Sequence, residues 1–254
     1  MSASDTDPIL DLSHRAMLME ELYQRYGKDG SGPGSLRRRF RFLRKKYAWK
    51  LIVGGAALLK RTIDVTVSLL LLLSLFPLFL IVGLCIKLTD GGPVFFVQKR
   101  VGRWGQEFAF PKFRSMVVNA EKRKDDLLKQ SDLGDSITFK MKKDPRVTWI
   151  GRLIRKFSID ELPQLWCVLK GDMSLVGPRP PVPREVALYT LADRRRLDAV
   201  PGLTCIWQVS GRSDIPFDRQ VELDVQYIES QSLTLDILLL FKTIPAVLFG
   251  KGSY

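Results

Sequence analysis

Asp160 and Glu161 are the adjacent carboxylates best placed to do chemistry in this 254-residue chain. They lie in Ser158-Ile159-Asp160-Glu161, which has the form of a capping box. Leu162, Leu165, Trp166 and Leu169 continue it at helical spacing, and Gly171 is placed to end the helix. In a first helical turn the free backbone N–H groups and the helix dipole favour anions, so both carboxylates are expected to stay ionised and a phosphate to be received nearby. Neighbouring helical positions diverge by about 100°, which lets one carboxylate face a substrate while the other holds a metal. The same two acids are equally what ordinary helix capping looks like. The only histidine, His14, lies in a polar N-terminal stretch, which removes His-based triads and His metal sites. The chemistry therefore falls to carboxylates, Lys and Arg.

Two further segments carry polar groups in rigid surroundings. Gly177-Pro178-Arg179-Pro180-Pro181-Val182-Pro183 is forced into an extended course that fixes Arg179; it also reads as a structural connector. Gln208 and Arg212, beside Gly211, suit a nucleotide or phosphate contact, with a surface loop as the alternative.

The elements that must position these groups begin with a flexible tail over residues 1–34, whose Gly-rich end has linker composition. Residues 35–60 open with SLRRRFRFLRKKYAWK, eight basic residues and no acid interleaved with Phe40, Phe42, Leu43, Tyr47 and Trp49. That is the composition of a segment lying on anionic lipid. Val65 to Ile86 is free of charge, and as a straight helix would be about 33 Å long, enough to cross a bilayer. Pro77 interrupts it, and both flanks are basic, so the charge rule for orientation gives no direction. A spanning helix is the default reading of these features, and a hairpin that enters and leaves by one face is the other.

Beyond the apolar block, residues 94–116 read as two short β-runs around a turn at Gly102–Gly105. A charged helix is expected over 117–130. A second begins at Asp144-Pro145-Arg146, with Val147, Ile150, Leu153 and Ile154 on its buried side and Arg152 and Arg155 elsewhere. Pro183 opens a helix through Asp198, Pro201-Gly202-Leu203-Thr204 is a turn, and a helix runs from Pro216 to Ile228. Leu233 to Phe249, interrupted only by Asp236 and Lys242, suits a helix lying in a membrane interface.

Forty Lys and Arg against twenty-seven Asp and Glu leave a net charge of +13. Such a field draws in anionic lipid, phosphorylated small molecules or nucleic acid. The chain has an apolar block of membrane length and no nucleic-acid motif, so lipid and phosphate ligands come first and nucleic acid is not expected. Cys85, Cys167 and Cys205 are odd in number and set in apolar surroundings, which suggests neither a disulfide framework nor a zinc site and points to a cytoplasmic catalytic part.

KFRSM (112–116), DPRVTWIGRLIRKFSIDELPQLWCVLKGDMSLVGPRP (144–180) and PGLTCIWQVSGR (201–212) together resemble the bacterial sugar transferases that act on polyprenyl phosphate. This is the monotopic phosphoglycosyl transferase family, and the resemblance covers about residues 60–254. It implies a mainly helical α+β protein of the bacterial inner membrane. A re-entrant helix over residues 61–90, broken at Pro77, would carry a cytoplasmic catalytic domain over 91–254 with an interfacial C-terminal helix. It implies that Asp160 attacks the sugar-bearing phosphorus of a UDP-sugar, that UMP leaves, and that undecaprenyl phosphate then takes the phosphosugar from the aspartyl intermediate. Glu161 would bind Mg²⁺.

By position, Arg155 and Arg179 match family arginines, Arg114 matches a basic residue of the KFRSM stretch, and Lys112 lies close by. Their chemical purpose is plain, because a carboxylate approaching a diphosphate needs cations to neutralise the repulsion. Val200 stands where many members place a basic residue before Pro-Gly. The ending Phe249-Gly-Lys-Gly-Ser-Tyr looks like exopolysaccharide-initiating members, for which glucose or galactose phosphate would be the natural cargo. A non-catalytic membrane adaptor of polysaccharide assembly is the competing reading, which an intact Asp160-Glu161 pair opposes. No linear pattern identifies the sugar, and a homo-oligomer is left open.

Overall fold

The computed structural model describes residues 17, 20–21, 33–120, 144–211 and 214–249. The tail expected over 1–34 and the charged helix expected over 117–130 fall almost wholly outside these, and Arg212 lies outside them altogether. By its contacts the chain divides into residues 1–58 and residues 59–254. In the first unit the basic segment is helical, and Phe40 and Tyr47 are exposed.

Helix α1 runs Pro33–Ser74 and helix α2 runs Phe76–Asp90. No single helix among the described residues is long and apolar enough to cross a membrane, but the pair Gly54–Ser74 and Phe76–Asp90, bent by 58°, passes that test together. The break falls at Leu75, and Pro77 stands in the first turn of α2, where its missing N–H leaves no hydrogen bond unmade on its own side. Its loss is felt one turn back, at the carbonyl that Pro77 would otherwise have bonded. Around the bend Leu69, Leu70, Leu71, Leu73, Phe76, Leu80, Ile81, Leu84 and Leu88 are exposed, an apolar surface that water does not favour. The opposite side of α2 buries Val82 and Ile86 against Phe113, Ile150 and Ile154.

Strands β1, Phe95–Val101, and β2, Glu107–Phe113, form the antiparallel hairpin read from the sequence. In its register Phe96 faces Lys112, Gln98 faces Phe110 and Arg100 faces Phe108. Side chains alternate across a strand, so Gln98, Arg100 and Lys112 project from one face. Helix α3, Trp149–Lys156, starts later than expected: Thr148 caps it by accepting a hydrogen bond from the Gly151 N–H at 3.0 Å. Ile150 and Ile154 are buried as anticipated, while Leu153 is exposed and Arg155 turns inward, since eight residues give only a narrow buried stripe.

The expected capping box is not formed. Ser158 takes a left-handed backbone (φ 53°) and makes no side-chain cap, and Ile159–Gln164 is a 3₁₀ helix containing Pro163. Helix α4, Leu165–Lys170, follows, and Gly171 ends it in the left-handed conformation as predicted. Trp166 is on the exposed side of α4.

Strand β3, Ser174–Val176, pairs in parallel with β4, Gly202–Thr204, where the sequence suggested only a turn. Each strand has three residues, too few to show an alternation. Gly177 and Gly202 make the pairing feasible, because a Cβ on Gly202 would come within 2.0 Å of the Gly177 nitrogen. Between the strands the anticipated Pro183–Asp198 helix is broken into α5, Pro183–Val186, α6, Leu191–Arg194, and a 3₁₀ turn at Arg195–Leu197. Helices α7, Ile206–Ser210, α8, Phe217–Ser230, and α9, Leu233–Phe249, complete the fold. The main core gathers Phe110, Leu165, Val168, Met173, Val176, Tyr227 and Leu239. The architecture is mainly helical with two small sheets, as expected.

α1 is tied to this core by charge. Arg61 donates to the Val168 and Leu169 carbonyls at 2.6 and 2.7 Å, near the C-terminus of α4. Lys60 pairs with Asp236 at 2.6 Å and also donates to the Val176 carbonyl, while the Tyr227 hydroxyl donates to Asp236. Asp64 accepts from the Leu175 N–H.

Candidate active site

Three elements deliver the carboxylates and their cations. The 3₁₀ helix carries Asp160 and Glu161 and packs on β2. At three residues per turn, neighbouring side chains diverge by about 120°, so the two carboxylates point apart. β2 contributes Lys112, and the Pro-rich segment after β3 contributes Arg179. Gly177 N–H donates to the Thr204 carbonyl and Gly202 N–H to the Pro178 carbonyl, both at 2.9 Å, which holds this segment against β4. These groups line one cavity of about 580 Å³, together with Arg100, Arg114, Ser115, Arg155, Ser158, Trp207, Gln208, Phe217 and Gln220.

The two carboxylates are in opposite electrostatic states. Glu161 Oε1 accepts from Lys112 Nζ at 3.0 Å and from Arg179 Nη2, and Oε2 accepts from Arg179 Nη1 at 3.2 Å. Burial opposes its ionisation, but the charges of Arg179 and Lys112 outweigh burial and hold it well below the usual carboxylate range. Asp160 is 8% exposed and accepts no hydrogen bond among the described residues. Burial, and then the adjacent Glu161 charge, push it up to about 6. The expectation that the helix N-terminus would hold both acids ionised is thus met by Glu161 through its side-chain partners, while Asp160 is shifted the other way.

The cations divide in the same manner. Burial depresses Lys112, while Glu161 more than offsets burial at Arg179. Arg155 donates through Nε to Ser115 Oγ at 2.9 Å; burial lowers its pKa, and Asp160 is the nearest source of compensation. Arg114 lines the cavity, but its guanidinium forks onto Asp90 at the end of α2. Gln208 Nε2 donates to the Leu203 carbonyl at 2.9 Å, and its Oε1 is buried without a partner among the described residues.

The structure therefore gathers Asp160, Glu161, Lys112, Arg155, Arg179 and Gln208 and diverts the Arg114 charge. Arg100 and Ser158 were missed. Arg100 is one basic residue among several in β1 and the turn after it, and nothing in its spacing marks it out. Ser158 was assigned to capping, whereas its left-handed backbone, costly for a non-glycine residue, turns the chain from α3 into the 3₁₀ helix.

No cluster of three or more His, Cys, Asp or Glu side chains able to hold a metal occurs among the described residues. A cation held by one or two carboxylates and completed by phosphate oxygens and water remains compatible with the site. Asp160 is free to ligate, and Glu161 uses three of the about four acceptor positions of a carboxylate.

The profile of the bacterial sugar transferase family matches residues 55–250. The exopolysaccharide production protein ExoY of Sinorhizobium fredii is 42% identical over 205 residues, covering 80% of this chain and 90% of that protein. The undecaprenyl-phosphate galactose phosphotransferase of Salmonella typhimurium is 47% identical over 204 residues, covering 77% of this chain and 42% of that protein. The undecaprenyl-phosphate glucose phosphotransferase of Komagataeibacter xylinus is 42% identical over 210 residues, covering 77% and 37%. The chain thus spans nine-tenths of one relative and less than half of the other two. With the family profile matched from the second half of α1 to the end of α9, across every residue of the cavity, this chain belongs to the bacterial sugar transferase family.

Proposed function

We propose that this chain transfers a sugar-1-phosphate from a UDP-sugar to undecaprenyl phosphate at the cytoplasmic face of the bacterial inner membrane, opening the assembly of an exopolysaccharide or related glycoconjugate. Family membership makes it a phosphoglycosyl transferase. The acceptor and the hexose class are suggested by the relatives' names, which specify undecaprenyl phosphate with galactose or glucose.

One observation carries the mechanism: Asp160 stands buried and free of hydrogen bonds among the described residues, its pKa lifted to about 6, beside a glutamate that takes three hydrogen bonds from Lys112 and Arg179. A carboxylate nucleophile must be ionised at neutral pH yet unencumbered, and Asp160 meets both conditions. In the first half-reaction an Asp160 oxygen attacks the sugar-bearing phosphorus, the bond to the bridging oxygen breaks, and UMP leaves with the electron pair. In the second, a phosphate oxygen of the lipid attacks the same phosphorus, and Asp160 is regenerated. Lys112, Arg155 and Arg179 lower the repulsion between carboxylate and diphosphate in both steps. Glu161 holds Lys112 and Arg179 in place, and with phosphate oxygens and water it would hold a Mg²⁺, which supplies neutralisation of phosphate charge. Arg114, through Asp90, ties the end of α2 to the strand that carries Lys112.

We further read α1–α2 as a re-entrant hairpin, supported by the 58° bend and the exposed leucines around it. The exposed face of α9, with Ile237, Phe241 and Ile244, would lie in the interface.

The test is UMP release from a panel of UDP-sugars with Mg²⁺ and undecaprenyl phosphate, comparing the intact chain with Asp160→Asn in detergent. Lipid-dependent release that falls by roughly 10⁴-fold or more in the variant is expected. A variant that keeps a tenth of the activity would remove Asp160 from the role of nucleophile.

A further inference from the structure

The charges facing the cavity are unevenly answered. Glu161 engages Lys112 and Arg179, Asp90 engages Arg114, and Asp224 engages Arg196. Two arginines remain that form no ion pair among the described residues: Arg155 and Arg100.

Arg100 is the more exacting case. It projects from β1 on the same face as Lys112, and its Nη1 donates to the Pro180 carbonyl at 2.9 Å. Its guanidinium carbon lies 5.2 Å from the centre of the Phe110 ring, whose surroundings also hold Lys112 Nζ at 5.3 Å. Its Nε–H is covered from solvent with no acceptor among the described residues. Burial first, and then the repulsion of Arg179, lower it to about 10, only partly offset by Glu185 and Glu161. Covering part of an ionised group without a counter-charge is unfavourable. A site that keeps such a group beside a second arginine is built for an anion brought from outside.

The two unanswered arginines stand on different supports. Arg155 belongs to α3, whose buried side packs on α2 and the apolar hairpin. Arg100 is bound to Pro180 and feels the charge of Glu185 on α5. That wall of the cavity is formed by the Pro-rich segment and α5, which do not pack on the hairpin cluster.

Resting on the transferase reading above, we propose that Arg100 is a substrate-contact residue that holds the phosphate leaving with the nucleoside. When the bond between the sugar-bearing phosphorus and the bridging oxygen breaks, that phosphate gains a full negative charge. A planar guanidinium with unused N–H groups is suited to receive it. The lipid phosphate attacks the same phosphorus only after the nucleotide has left, and Arg155, which also forms no ion pair among the described residues, adds to the positive charge that receives it.

The experiment is an equilibrium titration of the full chain in detergent with UMP, for the unmodified protein, Arg100→Met and Arg100→Lys. Steady-state constants for the UDP-sugar and for undecaprenyl phosphate are measured alongside. Arg100→Met is expected to weaken UMP about 10²-fold and to raise KM for the UDP-sugar similarly, with a smaller effect on the constant for the lipid. Arg100→Lys should recover about tenfold of that loss, because it restores the charge without the fork. The thermal midpoint of Arg100→Met should change little, since a half-buried cation without an ion-pair partner has been removed. Unchanged UMP affinity in both variants, or a change confined to the lipid constant, overturns the assignment. Failure of the unmodified chain to bind UMP overturns it equally. UMP binding that depends on Arg100 in a chain that transfers nothing would instead sink the transferase reading and leave this contact standing.

Discussion

Two buried groups of charges in this molecule follow opposite rules. At the junction of α1 with the core, Lys60 is matched by Asp236 and the Val176 carbonyl, Asp236 also by the Tyr227 hydroxyl, and Asp64 by the Leu175 N–H. Around Asp160 the matching fails: Glu161 takes three hydrogen bonds from two cations, Asp160 takes none, and Arg100 and Arg155 have no carboxylate within ion-pair distance among the described residues. Both groups sit in similarly low-dielectric surroundings, so burial does not distinguish them. Completeness does. A closed set of pairs fixes an element in place, whereas an unbalanced set holds positions open for charges that come and go with substrate.

The contrast can be broken most forcefully at Glu161. Glu161→Gln keeps the shape but releases Lys112 and Arg179, and transfer per folded molecule should fall by about 10²- to 10³-fold. A large stability loss with normal kcat would make Glu161 part of the scaffold instead. Lys60→Met probes the other side. It leaves Asp236 buried with only Tyr227, and because Lys60 is partly exposed the expected cost is about 2 kcal/mol of stability, below the full penalty for breaking a buried pair. Denaturant titration would measure it, and the specific activity of the folded fraction should stay within about threefold.

The smallest effects come from pH. Asp160 keeps its proton to about pH 6 in the folded chain and to about 4 when unfolded. The folded state therefore binds the extra proton between those values, and the contribution of Asp160 to stability declines as pH rises through that window. Above pH 6 the folded chain carries a buried charge, so Asp160→Asn should be the more stable protein at pH 7.5, by about 1–2 kcal/mol, and lose that advantage at pH 4. In the unmodified enzyme, kcat/KM for the donor should fall tenfold per unit below about pH 6. In Glu161→Gln the midpoint should move to lower pH, because the neighbouring negative charge that helps raise Asp160 is gone.

Much of this site was legible in the chain. Asp160 and Glu161 declared themselves as paired acids ahead of an apolar helical run, and Arg179 as the one charge in a proline-stiffened segment. The β-hairpin was readable because residues 94–113 are rich in aromatic and β-branched residues around two glycines. Pairing between distant residues was not readable. Arg114 finds Asp90 across 24 positions, and only that partner separates its role from that of Arg155. Arg100 differs from Lys99 and Arg103 solely in what surrounds it. The parallel β3–β4 pair left no trace because three residues cannot show a period, and its signature is instead the two glycines whose backbones nearly touch. In Ile159–Gln164 the ring of Pro163 crowds the carbonyl four residues back, which opposes an α-helical course through this turn.

The leucines that face outward on either side of Leu75 also bear on how the reactants arrive. Each large apolar side chain moved from water into hydrocarbon gains about 1.5–3 kcal/mol, and nine of them stand exposed around the bend. With the chain in the bilayer as proposed, that sum far exceeds thermal energy, so the protein does not detach between turnovers. The acceptor then reaches it by lateral diffusion in two dimensions and the donor by free diffusion in three. Acceptor supply becomes a matter of surface density, insensitive to the volume of the cell.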